Sequence, residues 1–257
     1  MDINLKNKVA VITGGTAGIG LATAELFARE GAEVSICSRK GSNVTKALAY
    51  LKEKGLKAYG EAVDVSDRSG LFAFADRVEK KFGGIDIWVS NAGIYLQKKI
   101  IDTSEEDWQT VMDTNLKSVY YGGLIAAEKI KKRGGGVLIN AASFGAVMPV
   151  MGSGAYAATK AAIANMTKSL AAELAPLNIR VIGFIPGIID TPMTESWIRD
   201  KGEILAGQSV LQRIGRSEEI ANVLLFLASE KASFVTGVCI EVSGGKFCVQ
   251  NPKDAWM

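Results

Sequence analysis

A glycine-rich turn between a strand and a helix is the feature that most restricts how this chain folds. The turn reads TGGTAGIG at residues 13–20; the apolar run VAVIT precedes it, and a helical pattern and a second apolar run, EVSICS, follow it. This β–α–β order predicts a parallel sheet. Glycines at such a turn let the backbone approach a pyrophosphate, which the helix N–H groups attract. The predicted dinucleotide contacts are Gly14, Thr16, Gly18, Ile19 and Gly20.

The alternation of apolar runs and helical segments continues along the chain, through runs such as IDIWVS, VLINAA, IRVIGFIP and VCIEV. A chain of 257 residues, 48% of them hydrophobic, suits one undivided domain of this type. The predicted fold class is therefore α/β: a single-domain, Rossmann-type, doubly wound parallel sheet of seven strands with helices on both faces, over residues 1–257.

Three local features are also predicted from the pattern. Residues 188–212 mix apolar and charged residues without clean periodicity, and a connection of this length is typical of a lid over a binding site. The third strand is expected to end at Asp64. The tail FCVQNPKDAWM is expected to be extended.

The end of the second predicted strand indicates which dinucleotide is preferred. An NAD-binding fold places an acidic residue there for the ribose 2′-hydroxyl, whereas this chain has Ser38, Arg39 and Lys40. A guanidinium can bind the 2′-phosphate, so the pattern predicts NADP(H) in preference to NAD(H). Two ordinary surface cations in a loop are the alternative. The next two strand ends supply the further predicted contacts Asp64, Val65, Asn91, Ala92 and Gly93.

A serine, a tyrosine and a lysine in residues 143–160 suggest proton transfer to or from an alcohol. Tyr156 and Lys160 are four apart in an Ala-rich helical segment and share a helix face, and Ser143 follows a predicted strand. A free phenol has a pKa of about 10, and a nearby cation lowers it. Lys160 is therefore expected to lower the pKa of Tyr156, which acts as general acid or base, while Ser143 donates a hydrogen bond to the substrate oxygen. An ordinary surface pair on a helix is the alternative.

The composition excludes several other kinds of chemistry. The chain has no histidine, which excludes Ser-His-Asp hydrolysis and His-ligated zinc, and its three cysteines lack metal-ligand spacing, so we predict no metal. A net charge of +3 with interspersed signs gives no indication of nucleic acid or a membrane surface as partner. No apolar run is long enough to span a bilayer, and no signal-peptide pattern is present, so the expected location is the cytoplasm.

With these residues placed, the chain resembles the short-chain dehydrogenase/reductase (SDR) family over nearly its whole length. Residues 13–20 match the family motif TGxxxGxG, and residues 91–93 match the end of its NNAG motif, although Ser90 replaces the first Asn. The catalytic positions of the family fall on Asn115, Ser143, Tyr156 and Lys160.

The resemblance implies a role for each of these four residues. Tyr156 transfers the proton while a hydride passes between the nicotinamide and the substrate carbon. Lys160 binds the cofactor ribose and depresses the pKa of Tyr156, and Ser143 orients the carbonyl oxygen. Asn115, inside a predicted helix, holds a water that links Lys160 to solvent. The resemblance also implies nicotinamide contacts from Pro186, Gly187, Ile189 and Thr191.

The residues expected to contact the substrate are mainly apolar: Tyr95, Phe144, Met148, Met193 and Trp197. The chain is similar to family members that act on 3-oxoacyl thioesters, on sugars and polyols, and on hydroxysteroids. The segments KKRGGGV and APLNIRV lack arginines at places where carrier-protein reductases usually have them. We therefore expect a free small ketone or secondary alcohol, such as a sugar, a polyol or a steroid.

Two alternatives remain open from the sequence. One is a 3-oxoacyl-thioester (acyl-carrier-protein) reductase, and the other is a protein that senses NADP(H) without turnover. The family resemblance also implies a homotetramer, or failing that a dimer, built on the long helices and the last strand.

Overall fold

The computed structural model describes residues 3–256, which form one sheet of seven parallel strands. The strands are β1 (Val9–Thr13), β2 (Glu33–Ser38), β3 (Ala58–Ala62), β4 (Ile87–Ser90), β5 (Gly136–Ala141), β6 (Ile179–Pro186) and β7 (Cys239–Val242). Their order is β3-β2-β1-β4-β5-β6-β7, so the chain winds from the middle of the sheet first to one edge and then to the other. The predicted doubly wound, Rossmann-type fold is confirmed.

Within the described residues, eight α-helices connect and flank the strands. They are α1 (Gly18–Arg29), α2 (Gly41–Glu53), α3 (Arg68–Phe82), α4 (Glu105–Val111), α5 (Ser118–Ile125), α6 (Gly154–Leu174), α7 (Glu195–Ala206) and α8 (Ser217–Ala228). None of the helices in residues 3–256 has the length and apolar character needed to cross a membrane.

The helices cover both faces of the sheet because the strands are apolar on both faces. In β1, Ala10 and Ile12 belong to the core cluster that includes side chains of α1, α2 and α8, whereas Val9 and Val11 belong to the cluster that includes α3, α5 and α6. Successive side chains of a strand point to opposite faces, so a strand buried on both sides must be apolar throughout. This packing holds the carboxyl ends of the strands in place, where ligands bind in such sheets.

The helical segment between β4 and β5 is irregular, and its irregularity positions Asn115. Ser104 caps α4 by accepting a hydrogen bond from the backbone N of Asp107 (3.1 Å). A π-helical turn, Met112–Lys117, then connects α4 to α5 and contains Asn115, which is fully buried. Such turns often occur at functional sites.

Two of the local predictions were wrong. β3 ends at Ala62 and not at Asp64, because the Asp64 carboxylate accepts a hydrogen bond from the backbone N of Ser66 (2.9 Å) and turns the chain. The tail is not extended: Pro252–Trp256 forms a short 3₁₀ helix, and Trp256 Nε1 donates a hydrogen bond to the backbone O of Val210 (3.1 Å).

The segment 188–212 contains a helix that its sequence pattern did not indicate. This helix, α7, is broken at Lys201 (φ −143°, ψ 28°), and none of its side chains is buried. The break explains why the segment lacks a clean helical period. Backbone hydrogen bonds pin the segment at its base, from Asp190 N to Gly215 O (2.9 Å) and from Gly215 N to Ile188 O (3.0 Å).

Candidate active site

The glycine-rich turn is held against the neighbouring strand β2. Gly14 has φ +65°, and its backbone N donates to the carbonyl of Cys37 at 2.9 Å. A Cβ on Gly14 would stand 2.9 Å from the Cα of Ala92, so no larger residue fits between the turn and the chain that leaves β4. The first turn of α1, which follows, carries no acidic residue. This end of α1 is therefore open to an anion.

Asn91 ties the end of β4 to the glycine-rich turn. Its side-chain Nδ2 donates to the carbonyls of Thr13 (3.1 Å) and Gly14 (3.3 Å), and its backbone N donates to Thr13 Oγ1 (3.0 Å). Sequence reasoning placed Asn91 beside a ligand but did not single out Thr13. The first threonine of the TGG triplet was the available signal, because its hydroxyl is buried at the point where two strands end.

Arg39 and Lys40 lie beside the same turn. Cys37 at the end of β2 pairs with Thr13 at the end of β1, so the residues that follow β2 emerge next to residues 14–20. Both cations are exposed, and neither forms an ion pair with any residue in the described part of the chain. Lys40 occupies the N-cap position of α2 without a capping hydrogen bond from its side chain, and the first turn of α2 carries no acidic residue.

The other predicted cofactor residues fall at strand ends of the same edge. Ser38 ends β2 and is half-buried, and Asp64 is exposed after β3. Val65 is buried in the core cluster under α3, so its side chain is used in packing and only its backbone can face a ligand. Thr16 is half-buried in the turn and does not line the cavity described below.

A threonine that sequence reasoning missed shapes the loop after β6. Thr194 Oγ1 donates to the carbonyl of Ile189 (2.5 Å) and accepts a hydrogen bond from the backbone N of Thr191 (3.1 Å). The loop therefore curls back over Gly18, where a Cβ would stand 2.9 Å from Thr191 Cγ2. Thr194 lies in the segment without clear periodicity, so its hydrogen bonds to the loop could not be found from the sequence.

Asn115, Lys160 and the NAG turn converge on one point. Asn115 Oδ1 accepts a hydrogen bond from the backbone N of Ile94 (2.8 Å), and its Nδ2 donates to the carbonyl of Ile94 (3.0 Å) and to Thr159 Oγ1 (3.3 Å). A Cβ on Gly93 would stand 3.2 Å from Asn115 Oδ1 and 3.7 Å from Lys160 Nζ. Both side chains are buried. The Asn115 side chain thus fixes the loop after β4 beside the Lys160 ammonium.

Ser143 and Tyr156 face each other across Gly145. Ser143 Oγ accepts a hydrogen bond from the backbone N of Gly145 (3.1 Å), and a Cβ on Gly145 would stand 3.6 Å both from that oxygen and from Tyr156 Cε1. Lys160 Nζ donates to the carbonyl of Ala141 (2.8 Å) and lies 5.6 Å from the Tyr156 ring centroid. A serine hydroxyl, a phenol and an ammonium therefore meet at the carboxyl end of β5.

The pKa values of this group differ from the sequence-based expectation. Burial raises the pKa of Tyr156 to about 12, and the Ser143 hydroxyl lowers it only in part. Burial lowers the pKa of Lys160 to about 8. The expected lowering of the Tyr156 pKa by Lys160 is not met in this structure, because the ammonium donates to the carbonyl of Ala141 and burial of the phenol has the largest effect on its pKa.

A cavity of about 260 Å³ lies over Tyr156 and continues to the glycine-rich turn. Four of the five predicted substrate residues line it, whereas Met148 lies outside, with 52% of its surface exposed. The cavity lining includes Gly14, Gly18, Ile19, Gly20, Asn91, Ala92, Gly93, Tyr95, Ser143, Phe144, Tyr156, Lys160, Pro186, Gly187, Ile189, Thr191, Met193 and Trp197. Most of the predicted cofactor and catalytic residues are therefore brought to one cavity.

A dinucleotide-type turn and a group of a serine hydroxyl, a phenol and an ammonium share this cavity at the carboxyl edge of the sheet. This combination defines the class of the protein as a dinucleotide-binding oxidoreductase. Comparison with known proteins identifies the family. Residues 14–246 match the family model described as enoyl-(acyl carrier protein) reductase.

Similar proteins cover almost the whole chain. A dehydrogenase/reductase SDR family member 4 from Oryctolagus cuniculus is 40% identical over 94% of both chains. A 3alpha-hydroxysteroid dehydrogenase from Mediterraneibacter gnavus is 38% identical over 95% of this chain and 98% of its own length. The crystal structure of L-sorbose reductase from Gluconobacter frateurii, complexed with NADPH and L-sorbose, has a TM-score of 0.89 at 35% identity and covers 97% of this chain and 100% of that chain.

The chain therefore belongs to the short-chain dehydrogenase/reductase family, as its motifs predicted. Members of this family are oxidoreductases that bind a nicotinamide cofactor and act on alcohols and ketones.

Proposed function

We propose that this protein transfers a hydride between NADP(H) and a ketone or secondary alcohol, with Tyr156 as general acid and base. The observation that supports this most directly is the meeting of Ser143, Tyr156 and Lys160 in the same cavity as the glycine-rich turn. Asn115 positions the loop that closes the cavity beside Lys160. These four residues are the proposed catalytic group.

The cofactor supplies the hydride when it is bound, and the protein supplies the proton. Tyr156, with a pKa of about 12, is protonated at neutral pH and can donate its proton to the carbonyl oxygen during reduction. Ser143 donates a hydrogen bond to the same oxygen and orients it. During alcohol oxidation Tyr156 must accept the proton, so its phenolate must form first, and the Lys160 ammonium lies 5.6 Å from the centroid of that ring.

The residues of the site fit a dinucleotide with a 2′-phosphate. The absence of side chains at Gly14 and Gly20 leaves the backbone of the turn free to approach a pyrophosphate, and the start of α1 adds its N–H groups. Arg39 and Lys40 are exposed cations beside this turn, and no carboxylate in residues 3–256 pairs with them. These observations support NADP(H) in preference to NAD(H).

Replacing Arg39 by Ala is expected to raise the KM for NADPH at least about tenfold while leaving the KM for NADH nearly unchanged. The reason is the loss of one charge-assisted hydrogen bond to the 2′-phosphate, worth about 1.5–3 kcal/mol. Steady-state kinetics with both cofactors measures this. The matched control is Lys80→Ala, which removes an exposed cation near the end of α3, on the side of the sheet where the strands begin. An unchanged ratio of the two KM values in Arg39→Ala would contradict the 2′-phosphate assignment.

The proposed substrate is a free small carbonyl compound, and the alternative is a 3-oxoacyl thioester on acyl carrier protein. A carrier protein is acidic, so it needs accessible cations, and the basic segment 129–133 is largely engaged in internal ion pairs. Lys129 is buried and pairs with Asp76, Glu79 and Glu128, Lys132 pairs with Glu79, and Arg133 pairs with Asp86. This pairing favours the free substrate.

A direct test of the proposal is NADPH oxidation with a panel of ketones, repeated with NADH. The panel contains 3-oxoacyl thioesters, keto-sugars, keto-steroids and small cyclic ketones. Preferential turnover of one class with NADPH would support the enzyme and identify the type of substrate. Tight cofactor binding without turnover of any ketone would instead support the NADP(H)-sensing alternative.

We further propose that residues 188–212 act as a lid, that the protein is a homotetramer or a dimer, and that it acts in the cytoplasm. Hydrogen bonds between residues 188–190 and Gly215 give the segment a fixed base, while α7 above it has no buried side chain. β7 is the outer strand of the sheet, and the nearby Phe234 is fully exposed, which favours an oligomer contact there. The mass in solution, measured by light scattering, tests the oligomer.

A further inference from the structure

We propose that Tyr95 and Trp197 form a specificity-determining aromatic wall, and that this wall selects ketones with a flat apolar body over polyhydroxylated ketones. The inference rests on the proposed function, because it concerns the substrate of the same site. It separates two substrate classes, keto-sugars and apolar cyclic ketones, that the proposed function leaves together.

Three aromatic rings from distant parts of the chain are in contact in the cavity. The Tyr95 ring meets the Tyr156 ring edge to face, with centroids 5.0 Å apart and planes at 62°. Trp197, on α7, also meets the Tyr95 ring edge to face, with centroids 4.4 Å apart and planes at 81°. Such contacts stabilise a defined ring geometry. The wall is therefore placed relative to the proton donor, and it includes part of the proposed lid.

The cavity side of Tyr95 is its apolar ring, not its hydroxyl. The ring lines the cavity, but the hydroxyl oxygen is inaccessible to solvent and lies beside the buried Ser153 at the start of α6. Burial raises the pKa of Tyr95, so the phenol stays neutral at physiological pH. A substrate beside Tyr95 therefore meets an uncharged aromatic surface.

Polar side chains in the cavity are already committed to the protein or to the reaction. Asn91 donates to the carbonyls of Thr13 and Gly14, and Thr194 bonds the backbone of the loop after β6. Ser143 and Tyr156 remain for one substrate oxygen. Further hydroxyls of a keto-sugar would lie against Tyr95, Trp197, Phe144 and Met193 and would lose their hydrogen bonds to water.

The apolar surface continues outside the cavity on the loop after β5. Val147 and Met148 are 61% and 52% exposed on this loop, which follows Phe144, and Met193 at the start of the lid segment is 45% exposed. Exposed apolar side chains next to a binding cavity extend the apolar contact available to a ligand. A ligand with an apolar body longer than the cavity can pack against these side chains, whereas a polyol gains no binding energy from them.

The first measurement compares kcat/KM for 2-tetralone, a flat bicyclic ketone, with kcat/KM for L-sorbose, using NADPH. We expect a preference for 2-tetralone of at least about a hundredfold, because a hydrophobic site disfavours each unpaired hydroxyl. Equal efficiency, or a preference for L-sorbose, would overturn the proposal while leaving the proposed reaction intact.

Matched variants then assign the preference to the two rings. Trp197→Leu is expected to lower kcat/KM for 2-tetralone about tenfold, mainly through KM, and to change that for cyclobutanone less than about threefold. Trp256→Leu makes the same substitution at an exposed tryptophan whose ring lies outside the cavity, and the ratio of kcat/KM for 2-tetralone to kcat/KM for cyclobutanone should not change. Tyr95→Phe keeps the ring, so the ratio of kcat/KM for 2-tetralone to kcat/KM for L-sorbose should stay at its wild-type value. Tyr95→Leu removes the ring and should reduce this ratio.

Two results would overturn the assignment to these rings. One is an equal loss of kcat/KM for 2-tetralone and for cyclobutanone in Trp197→Leu, and the other is a wild-type ratio of 2-tetralone to L-sorbose efficiency in Tyr95→Leu.

A binding measurement separates this inference from the proposed function. In the complex with NADP⁺ no hydride is available, so 2-tetralone binding can be followed without turnover by quenching of tryptophan fluorescence. Two results together would support the wall even if no ketone is reduced with NADPH. The first is quenching by 2-tetralone in both the wild-type protein and Trp256→Leu, and the second is a weaker apparent affinity for 2-tetralone in Tyr95→Leu. The same affinity in wild type and Tyr95→Leu would overturn the wall even if reduction proceeds.

Discussion

Replacement of Tyr156 by Phe is expected to lower kcat for ketone reduction at least about a thousandfold, because the proposed proton donor is removed. The ring itself remains, so its edge-to-face contact with Tyr95 and the shape of the cavity should be kept. The dissociation constant for NADPH, measured by fluorescence titration, should therefore change little. Single-turnover kinetics measures the chemical step separately from product release.

The control for this variant is Tyr120→Phe, which removes the same hydroxyl from an exposed tyrosine on α5. It should have wild-type kinetics. Retention of more than about a tenth of the wild-type kcat in Tyr156→Phe would show that another group supplies the proton. The serine would then be the next candidate, because Ser143 is the other hydroxyl that faces the reacting position.

Replacement of Lys160 by Met is expected to lower kcat about a hundredfold or more and also to weaken NADPH binding. Methionine has a similar length and preserves packing in this buried position, but it removes the ammonium that lies 3.7 Å from the position of a Gly93 Cβ and beside the Tyr156 ring. Two effects from one substitution are expected because the same cation is proposed to act beside the proton donor and to bind the cofactor ribose. The exposed Lys168, two turns further along α6, provides the control variant Lys168→Met.

The pH dependence of ketone reduction gives an independent check on Lys160. Burial lowers its pKa from the usual value for lysine to about 8, so the ammonium is present below this pH and is lost as the pH rises through it. Tyr156, with a pKa of about 12, stays protonated over the same range. The rate should therefore fall above about pH 8 in the wild-type protein.

In Lys160→Arg the side chain cannot lose its proton, so any residual activity should show no fall near pH 8. A fall in the rate at the same pH in the wild-type protein and in Lys160→Arg would assign the titration to another group.

Loss of NADPH binding in Lys160→Met without a loss of kcat would leave the lysine as a cofactor contact only, and would contradict its role beside Tyr156.

The fold and the position of the site followed from local sequence patterns. The turn at residues 13–20 could be predicted from its glycines, because glycine is required where the backbones of β1, β4 and α1 come closest together. Gly14 meets Ala92 at that point. Tyr156 and Lys160 could be paired from their spacing alone, because one turn of a helix places them on one face. Asn115 came from the family resemblance, and its π-helical turn could not be anticipated from residue types.

The sequence by itself determined the order of the seven strands along the chain, the type of turn and most of the residues at the strand ends, because each depends on a period or a spacing within a short segment. Only the tertiary structure decided the direction of the two pKa shifts at Tyr156 and Lys160, since desolvation depends on everything packed around a group. It alone also placed Trp197 against Tyr95. These residues are about a hundred positions apart, and no local pattern encodes which aromatic rings a fold brings together.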